Sequence, residues 1–204
     1  MNLIHQYFTQ LYIGFIVISI IYRIRRLLKS YEVEPHEGKV YAGLTYPILL
    51  ALYLIIAVGA ILEYFYCRYI ISTRVRVNLI LSGIGLLMYV SVIPVRAKAV
   101  VALGKYMSPD IKIMEDHKLI KSGPYGYMRH PLSFCVTIET IGLTIIPNAY
   151  YSLIATLFIF IPFVIYRAYL EEKAMIEKFG DEYLNYKKEV YAFLPLKRIS
   201  RKGS

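Results

Sequence analysis

LSFCVTIETIGLTIIPNAYYSLIATLFIFIPFVIY, residues 132–166, decides what kind of molecule this is. The run holds 35 residues and a single charge, Glu139. A helix of roughly 20 apolar residues crosses the ~30 Å hydrocarbon core of a bilayer, so this run is too long for one crossing. Pro147-Asn148 in its middle is a turn signal, and the run reads as two membrane helices joined by a tight hairpin.

Upstream, residues 77–95 give 19 uncharged positions bracketed by Arg76 and Arg96, and residues 40–62 give another 23. Residues 3–22 also lack Lys, Arg, Asp and Glu, although Gln6, Thr9 and Gln10 make the first turns polar. With no positive residues before it and no small-residue cleavage site after it, this stretch reads as a retained span and not a signal peptide. The expected fold class is therefore an all-α integral membrane protein of about five transmembrane helices. Residues 1–95 would carry three spans, and residues 96–204 a connecting loop, the helical hairpin and a C-terminal helix. Composition agrees: 57% of residues are hydrophobic and 19% charged, against roughly 25% charged in a typical soluble domain. A disordered chain, a disulfide-rich secreted domain and an ordinary soluble enzyme are all excluded. Cys67 and Cys135 show no C-x-x-C spacing, which argues against a disulfide framework and a zinc ribbon.

Lys and Arg set the orientation. The stretches 23–39, 96–131 and 167–204 hold 21 of them, whereas 63–76 and the other connections on the alternate side hold three. The expected N-terminus faces out, and the long loop and the C-terminal tail face the cytoplasm. This asymmetry explains the net charge of +10 as attraction to anionic lipid. Basic residues flanking spans do not form the single stripe with interleaved aromatics that nucleic acid needs, so no nucleic-acid partner is expected.

Two polar stretches remain, both assigned to the cytoplasmic side. The first is DHKLIKSGPYGYMRHP at 116–131. Gly123-Pro124 and Gly126 interrupt any helix, and Pro131 suits the first turn of the fourth span. Arg129 and His130 thus fall where a loop meets a helix N-terminus, whose N–H groups and dipole suit an anion. The second is RAYLEEK at 167–173, in which Arg167 and Glu171 share a helical face. That helix is expected to stop at Gly180 and restart at Asp181. Taken singly, Arg129 reads as a membrane-surface anchor, His130 as a cap, and Glu171 and Glu172 as a solvated helix face. Glu139 is different: a carboxylate within the membrane marks a functional or paired site. His117, His130 and Cys135 match no zinc spacing, so no metal is expected. Gly83-Ile84-Gly85 lies within an apolar span and reads as a close-packing contact, not a dinucleotide loop.

Together the two stretches resemble the C-terminal signature of the isoprenylcysteine carboxyl methyltransferase family and its phospholipid methyltransferase relatives. The elements are His117-Lys118-Leu119-Ile120, Gly123-Pro124-Tyr125, Arg129-His130-Pro131, Arg167 with Glu171-Glu172, and Phe179-Gly180-Asp181-Glu182-Tyr183 with Tyr186 and Pro195. The resemblance implies an integral-membrane methyltransferase using S-adenosylmethionine, with a pocket formed by the connecting loop and the C-terminal helix. It implies cofactor-binding roles for His117, Leu119, Ile120, Gly123, Tyr125, His130, Pro131 and Glu172. It implies catalytic roles for Arg167, Glu171 and Arg129: Arg167 would hold an anionic acceptor that Glu171 orients, or Glu171 would be the base for a neutral one. The residues suit the cofactor chemically. His130 and the adjacent N–H groups can take a carboxylate, Glu172 a ribose diol or an adenine amine, and Leu119, Ile120 and Tyr125 an apolar wall. A tyrosine ring can also face a sulfonium. The expected partners are membrane lipids and a lipophilic small-molecule or prenylated substrate; carboxylate, amine, phenol and thiol acceptors all stay open. The family's archaeal and bacterial members point to a prokaryotic plasma membrane. The sequence departs from the family at Leu132-Ser133-Phe134-Cys135, where Ser133 and Cys135 replace the family's Tyr and Gly. The competing readings are an NADPH-dependent sterol-reductase-like enzyme, which shares R-H-P, and a membrane scaffold without chemistry.

Overall fold

The computed structural model describes residues 3–31, 38–71 and 77–195. The basic residues of 72–76 and 196–204 that enter the orientation count lie outside it. Helix α1 (Leu3–Tyr31) is followed by strand β1 (Gly38–Ala42), helix α2 (Thr45–Phe65) and helix α3 (Leu79–Leu103). Strand β2 (Ile111–Met114) and a short 3-10 turn (Gly123–Gly126) lead to helix α4 (Pro131–Ile145). Helix α5 (Tyr150–Phe179) and helix α6 (Asp181–Glu189) follow.

Among the described residues, three helices are long and apolar enough to cross a membrane: α2, α3 and α5. The other two expected spans are shorter apolar helices, Gln6–Tyr22 and Pro131–Ile145. At 1.5 Å per residue, α4 reaches only about 22 Å. Large apolar side chains such as Leu54, Leu87 and Phe158 lie on the outer surface. A soluble protein would gain by burying them; a bilayer accepts them.

Two expectations need correction. The protein is not purely α-helical: β1 pairs antiparallel with β2, Gly38 facing Met114 and Lys39 facing Ile113. Val40 therefore belongs to a ribbon, and the second apolar helix begins only at Thr45, because Ile111, Ile113 and Ala174 offer that segment a core outside the helices. Arg96 does not end a span either. Helix α3 runs on to Leu103, and Arg96 is buried inside it as the ion-pair partner of Glu139 on α4. Their side chains are 5% and 2% exposed, so the intramembrane carboxylate is paired.

Helices α3 and α4 touch backbone to backbone. A Cβ on Gly142 would lie 2.6 Å from the Gly85 carbonyl oxygen, and one on Gly85 would lie 2.9 Å from the Ile146 nitrogen. This is the small-residue crossing expected of membrane helices, and it uses Gly85 but not Gly83, whose Cβ would meet nothing within 4 Å. Two turns away, the Cys135 thiol reaches the Val92 carbonyl at 3.6 Å. The hairpin turn is where Pro147-Asn148 predicts it. Asn148 takes φ 60, its Oδ1 accepts the Asn78 N–H at 2.7 Å, and its Nδ2 donates to Ser82 Oγ at 3.1 Å. Asn78 in turn caps α3 by accepting the Ile80 and Leu81 N–H groups. Beyond the turn, the Glu63 carboxylate of α2 accepts the Tyr151 and Ser152 N–H groups at 3.0 and 2.9 Å, capping α5 from a neighbouring helix. The apolar core between these helices gathers Tyr12, Tyr53, Ile56, Tyr64, Tyr89, Leu143, Phe160 and Val164.

Candidate functional site

The R-H-P segment is held by its backbone before its side chains act. The Arg129 N–H donates to Tyr191 O and the His130 N–H to Ala192 O, both at 2.9 Å. The segment after α6 therefore folds back beside the loop, with Met128 and Tyr191 forming a parallel bridge. His130 then sits at the N-cap of α4, and buried Pro131 occupies its first turn. Helix α5 delivers Arg167, Glu171 and Glu172, ends at Gly180, and hands the chain to α6. Gly180 takes φ 52, a left-handed conformation that glycine adopts without strain.

The side chains meet at Glu172, which is buried. Its Oε1 accepts Arg129 Nε at 2.9 Å and Nη2 at 2.6 Å, and lies 3.2 Å from His130 Nε2. Its Oε2 accepts Lys187 Nζ at 2.6 Å. Arg129 uses Nη1 on the carbonyls of Lys187 and Val190, which closes the end of α6 onto the same knot. A buried carboxylate with this many donors is held ionised and immobile. Glu171 lies on the outer side, its Oε2 3.4 Å from His130 Nδ1. That nitrogen is buried, and the Glu171 carboxylate is the charge it faces. Burial alone would lower the His130 pKa, but the Glu171 and Glu172 carboxylates outweigh it and raise it to about 9. The imidazole is thus a cation at neutral pH.

Around the knot lie aromatic walls. His117 is buried, stacks on Tyr106 at 4.6 Å between ring centres, and meets the Phe179 ring at 5.9 Å. Burial pushes its pKa down, so it is neutral, and among the described residues its Nδ1 has no hydrogen-bond partner. Tyr125 is buried, and its carbonyl accepts the Tyr186 hydroxyl at 2.6 Å. Burial pushes the Tyr125, Tyr183 and Tyr186 phenols up, so they are neutral hydroxyls. Leu119 packs against Tyr183, Tyr186 and Val190. Glu171 is close enough for its charge to act on His117, Tyr125 and Tyr183 as well as His130.

Of the residues singled out in the sequence, the structure gathers Arg129, His130, Glu171 and Glu172 directly. Pro131, Tyr125, His117 and Leu119 frame them, while Ile120 is half-buried and Gly123 exposed in the approach loop. Arg167 is directed elsewhere. Its Nη1 donates to Thr45 Oγ1 at 3.1 Å and its Nη2 to the Pro109 carbonyl, so it fastens α5 to α2 and to the connecting loop. Lys187 and the carbonyls of Val190, Tyr191 and Ala192 were not legible as site groups. Lys187 follows Tyr186 of the signature by one residue, but no spacing rule ties it to Glu172.

The residues fit the cofactor that the resemblance implies. Among the described residues His117 Nδ1 is buried with no hydrogen-bond partner, while His130 Nδ1 faces the Glu171 carboxylate at 3.4 Å. The helix N-terminus at Pro131 and the His130 cation favour a carboxylate, the half-exposed Glu171 an ammonium or a sulfonium, and the His117, Leu119 and Tyr125 surfaces a purine.

The isoprenylcysteine carboxyl methyltransferase (ICMT) family matches over residues 84–177, which runs from α3 through the loop and hairpin to beyond Glu172. The chain is 30% identical over 103 residues to a protein-S-isoprenylcysteine O-methyltransferase of Schizosaccharomyces pombe, covering 50% of this chain and 44% of that one. It is 35% identical over 80 residues to the protein of that name from Saccharomyces cerevisiae, covering 39% of this chain and 34% of that one. The solved structure of a eukaryotic intramembrane Ras methyltransferase, ICMT, superposes with a TM-score of 0.64 at 27% identity, covering 70% of this chain and 52% of that one. The chain thus spans about half, or less, of the length of the relatives it matches. The resemblance drawn from the signature is shown, and these relatives are eukaryotic, not prokaryotic.

Proposed function

We propose that this chain is a membrane methyltransferase that transfers a methyl group from S-adenosylmethionine to a lipophilic acceptor, with a prenylcysteine-type carboxylate as the leading class. The observation that carries the reading is the buried Arg129–Glu172–His130 knot at the N-terminus of α4, inside the span that matches the family. A buried nitrogen of His117 with no hydrogen-bond partner among the described residues and a half-exposed glutamate border it. The names of the relatives support the acceptor class. The asymmetry of Lys and Arg supports placing the site at the cytoplasmic face.

The cofactor supplies a methyl group on a sulfonium, already activated for displacement. The protein's task is then to align the reactants and exclude water. In this reading His130 and the first N–H groups of α4 hold a carboxylate, and neutral His117 stacks beside the purine. Arg129 is a positioning residue: it fixes Glu172, the end of α6 and the loop in one arrangement. Glu171 faces the reacting centre and orients the acceptor. A carboxylate acceptor needs no proton removed. Arg167 fastens α5 to α2 and to the connecting loop.

The test is a methyl-incorporation assay with tritiated S-adenosylmethionine and an S-farnesylated cysteine derivative, using protein in lipid nanodiscs. Base-labile, solvent-extractable label that disappears in Glu171→Gln supports the carboxylate reading. Label resistant to base points to another acceptor, and no label with any lipophilic acceptor overturns the proposal.

A further inference from the structure

Glu172 is asymmetrically held. Three donors on Oε1 come from buried Arg129 and His130. Among the described residues the donor on Oε2 is Lys187 Nζ, at 2.6 Å, from a side chain that is 42% exposed while the Glu172 side chain is 10% exposed. The inner oxygen is thus fixed by the protein interior, and the outer one is covered by a flexible chain reaching in from solvent. The backbone of Lys187 is not free to follow its side chain: its carbonyl accepts Arg129 Nη1 at 3.2 Å, and the next turn is tied through Val190 O. The side chain can therefore swing away while α6 stays in place.

We infer that Lys187 is a displaceable latch, occupying on Glu172 Oε2 the position that a ligand's vicinal diol takes when it binds. This rests on the cofactor reading above and, of the ribose diol and the adenine amine that the sequence leaves open at Glu172, takes the diol. Oε1 already holds three donors, and Oε2 has two acceptor sites, one of them taken by the ammonium; both hydroxyls of a diol can therefore bond Glu172 only when the ammonium leaves Oε2. A lysine suits this use: its ammonium is strongly hydrated, and its four-carbon stem lets it return to water without strain. The ion pair keeps a buried carboxylate partnered when the ligand is absent and sets an affinity penalty when it arrives.

Lys187→Met keeps most of the stem and removes the donor; Lys187→Arg keeps the charge. Calorimetric titration of S-adenosylhomocysteine and its 2′-deoxy analogue into wild type and both variants in detergent tests the latch. Loss of one charge-assisted competitor should tighten S-adenosylhomocysteine binding by about tenfold in Lys187→Met, since such hydrogen bonds contribute at least that factor. The gain should be much smaller for the 2′-deoxy analogue, and Lys187→Arg should stay within about threefold of wild type. A thermal melt without ligand that differs by under about 3 °C confirms that the knot stands in Lys187→Met. Wild-type binding with Lys187→Met unchanged or weaker overturns the latch and leaves the methyltransferase reading intact. Equal tightening for both ligands overturns the role of the diol. Failure of wild type and variants to bind S-adenosylhomocysteine overturns the cofactor reading and the latch with it.

Discussion

Replacing Glu139 by Leu leaves the Arg96 guanidinium inside the α3–α4 interface with no carboxylate opposite. The two side chains are 5% and 2% exposed, so neither water nor a headgroup reaches the orphaned charge. Removing one partner of a buried pair costs about 3–5 kcal/mol. For a chain of this size each kcal/mol moves the melting midpoint by about 2–4 °C, so the apparent midpoint should fall by roughly 6–20 °C. The double variant Arg96→Met, Glu139→Leu removes both charges and their desolvation together, and it should recover most of the loss. The assay is helical circular dichroism on heating in one detergent at one scan rate, because membrane proteins unfold irreversibly and the midpoint is operational. A fall of under about 2 °C in Glu139→Leu, or a double variant that melts no higher than the single one, would refute the reasoning.

Gly142→Ala places a methyl 2.6 Å from the Gly85 carbonyl oxygen. It should lower stability by about 1–3 kcal/mol, whereas Gly83→Ala, in open space, should be neutral or stabilising by about 0.5–1 kcal/mol; paired thermal melts decide. Asn148→Ala should cost about 1–3 kcal/mol by removing the bonds to Asn78 and Ser82 at a positive-φ position, and Asn148→Gly should cost less. The His130 pKa is raised from its ordinary value to about 9 by Glu171 and Glu172 against burial. The folded state therefore holds a proton that the unfolded state has lost, and this stability is complete below about pH 6.5 and vanishes as pH rises through 9. Wild type should lose on the order of 3 kcal/mol across that window and His130→Gln should not, read from melts at fixed ionic strength.

The apolar runs made the helices legible, because only a bilayer explains 35 residues with one charge. Pro147-Asn148 marked the turn for a local reason: asparagine tolerates positive φ and bonds its own surroundings. The ribbon was hidden because Val40 and Tyr41 look as apolar as the helix that follows, and their partner strand lies some 70 residues away. Arg96 was misplaced because a charge at the edge of an apolar run looks like the end of a span until its partner is visible. At the site, Arg129-His130 and Glu171-Glu172 were legible as two short local motifs, although 42 residues separate His130 from Glu172. That Arg167 reaches Thr45 and Lys187 reaches Glu172 depends on how α5 and α6 pack, which no periodicity encodes.

The most direct test of the central claim is calorimetric titration of S-adenosylhomocysteine, with NADPH as the control ligand, into wild type and Glu172→Gln. Saturable S-adenosylhomocysteine binding, weakened in Glu172→Gln and unmatched by NADPH, is the predicted result. Binding of NADPH in its place would move the chain to the reductase reading, and a well-folded protein that binds neither would contradict the catalytic account.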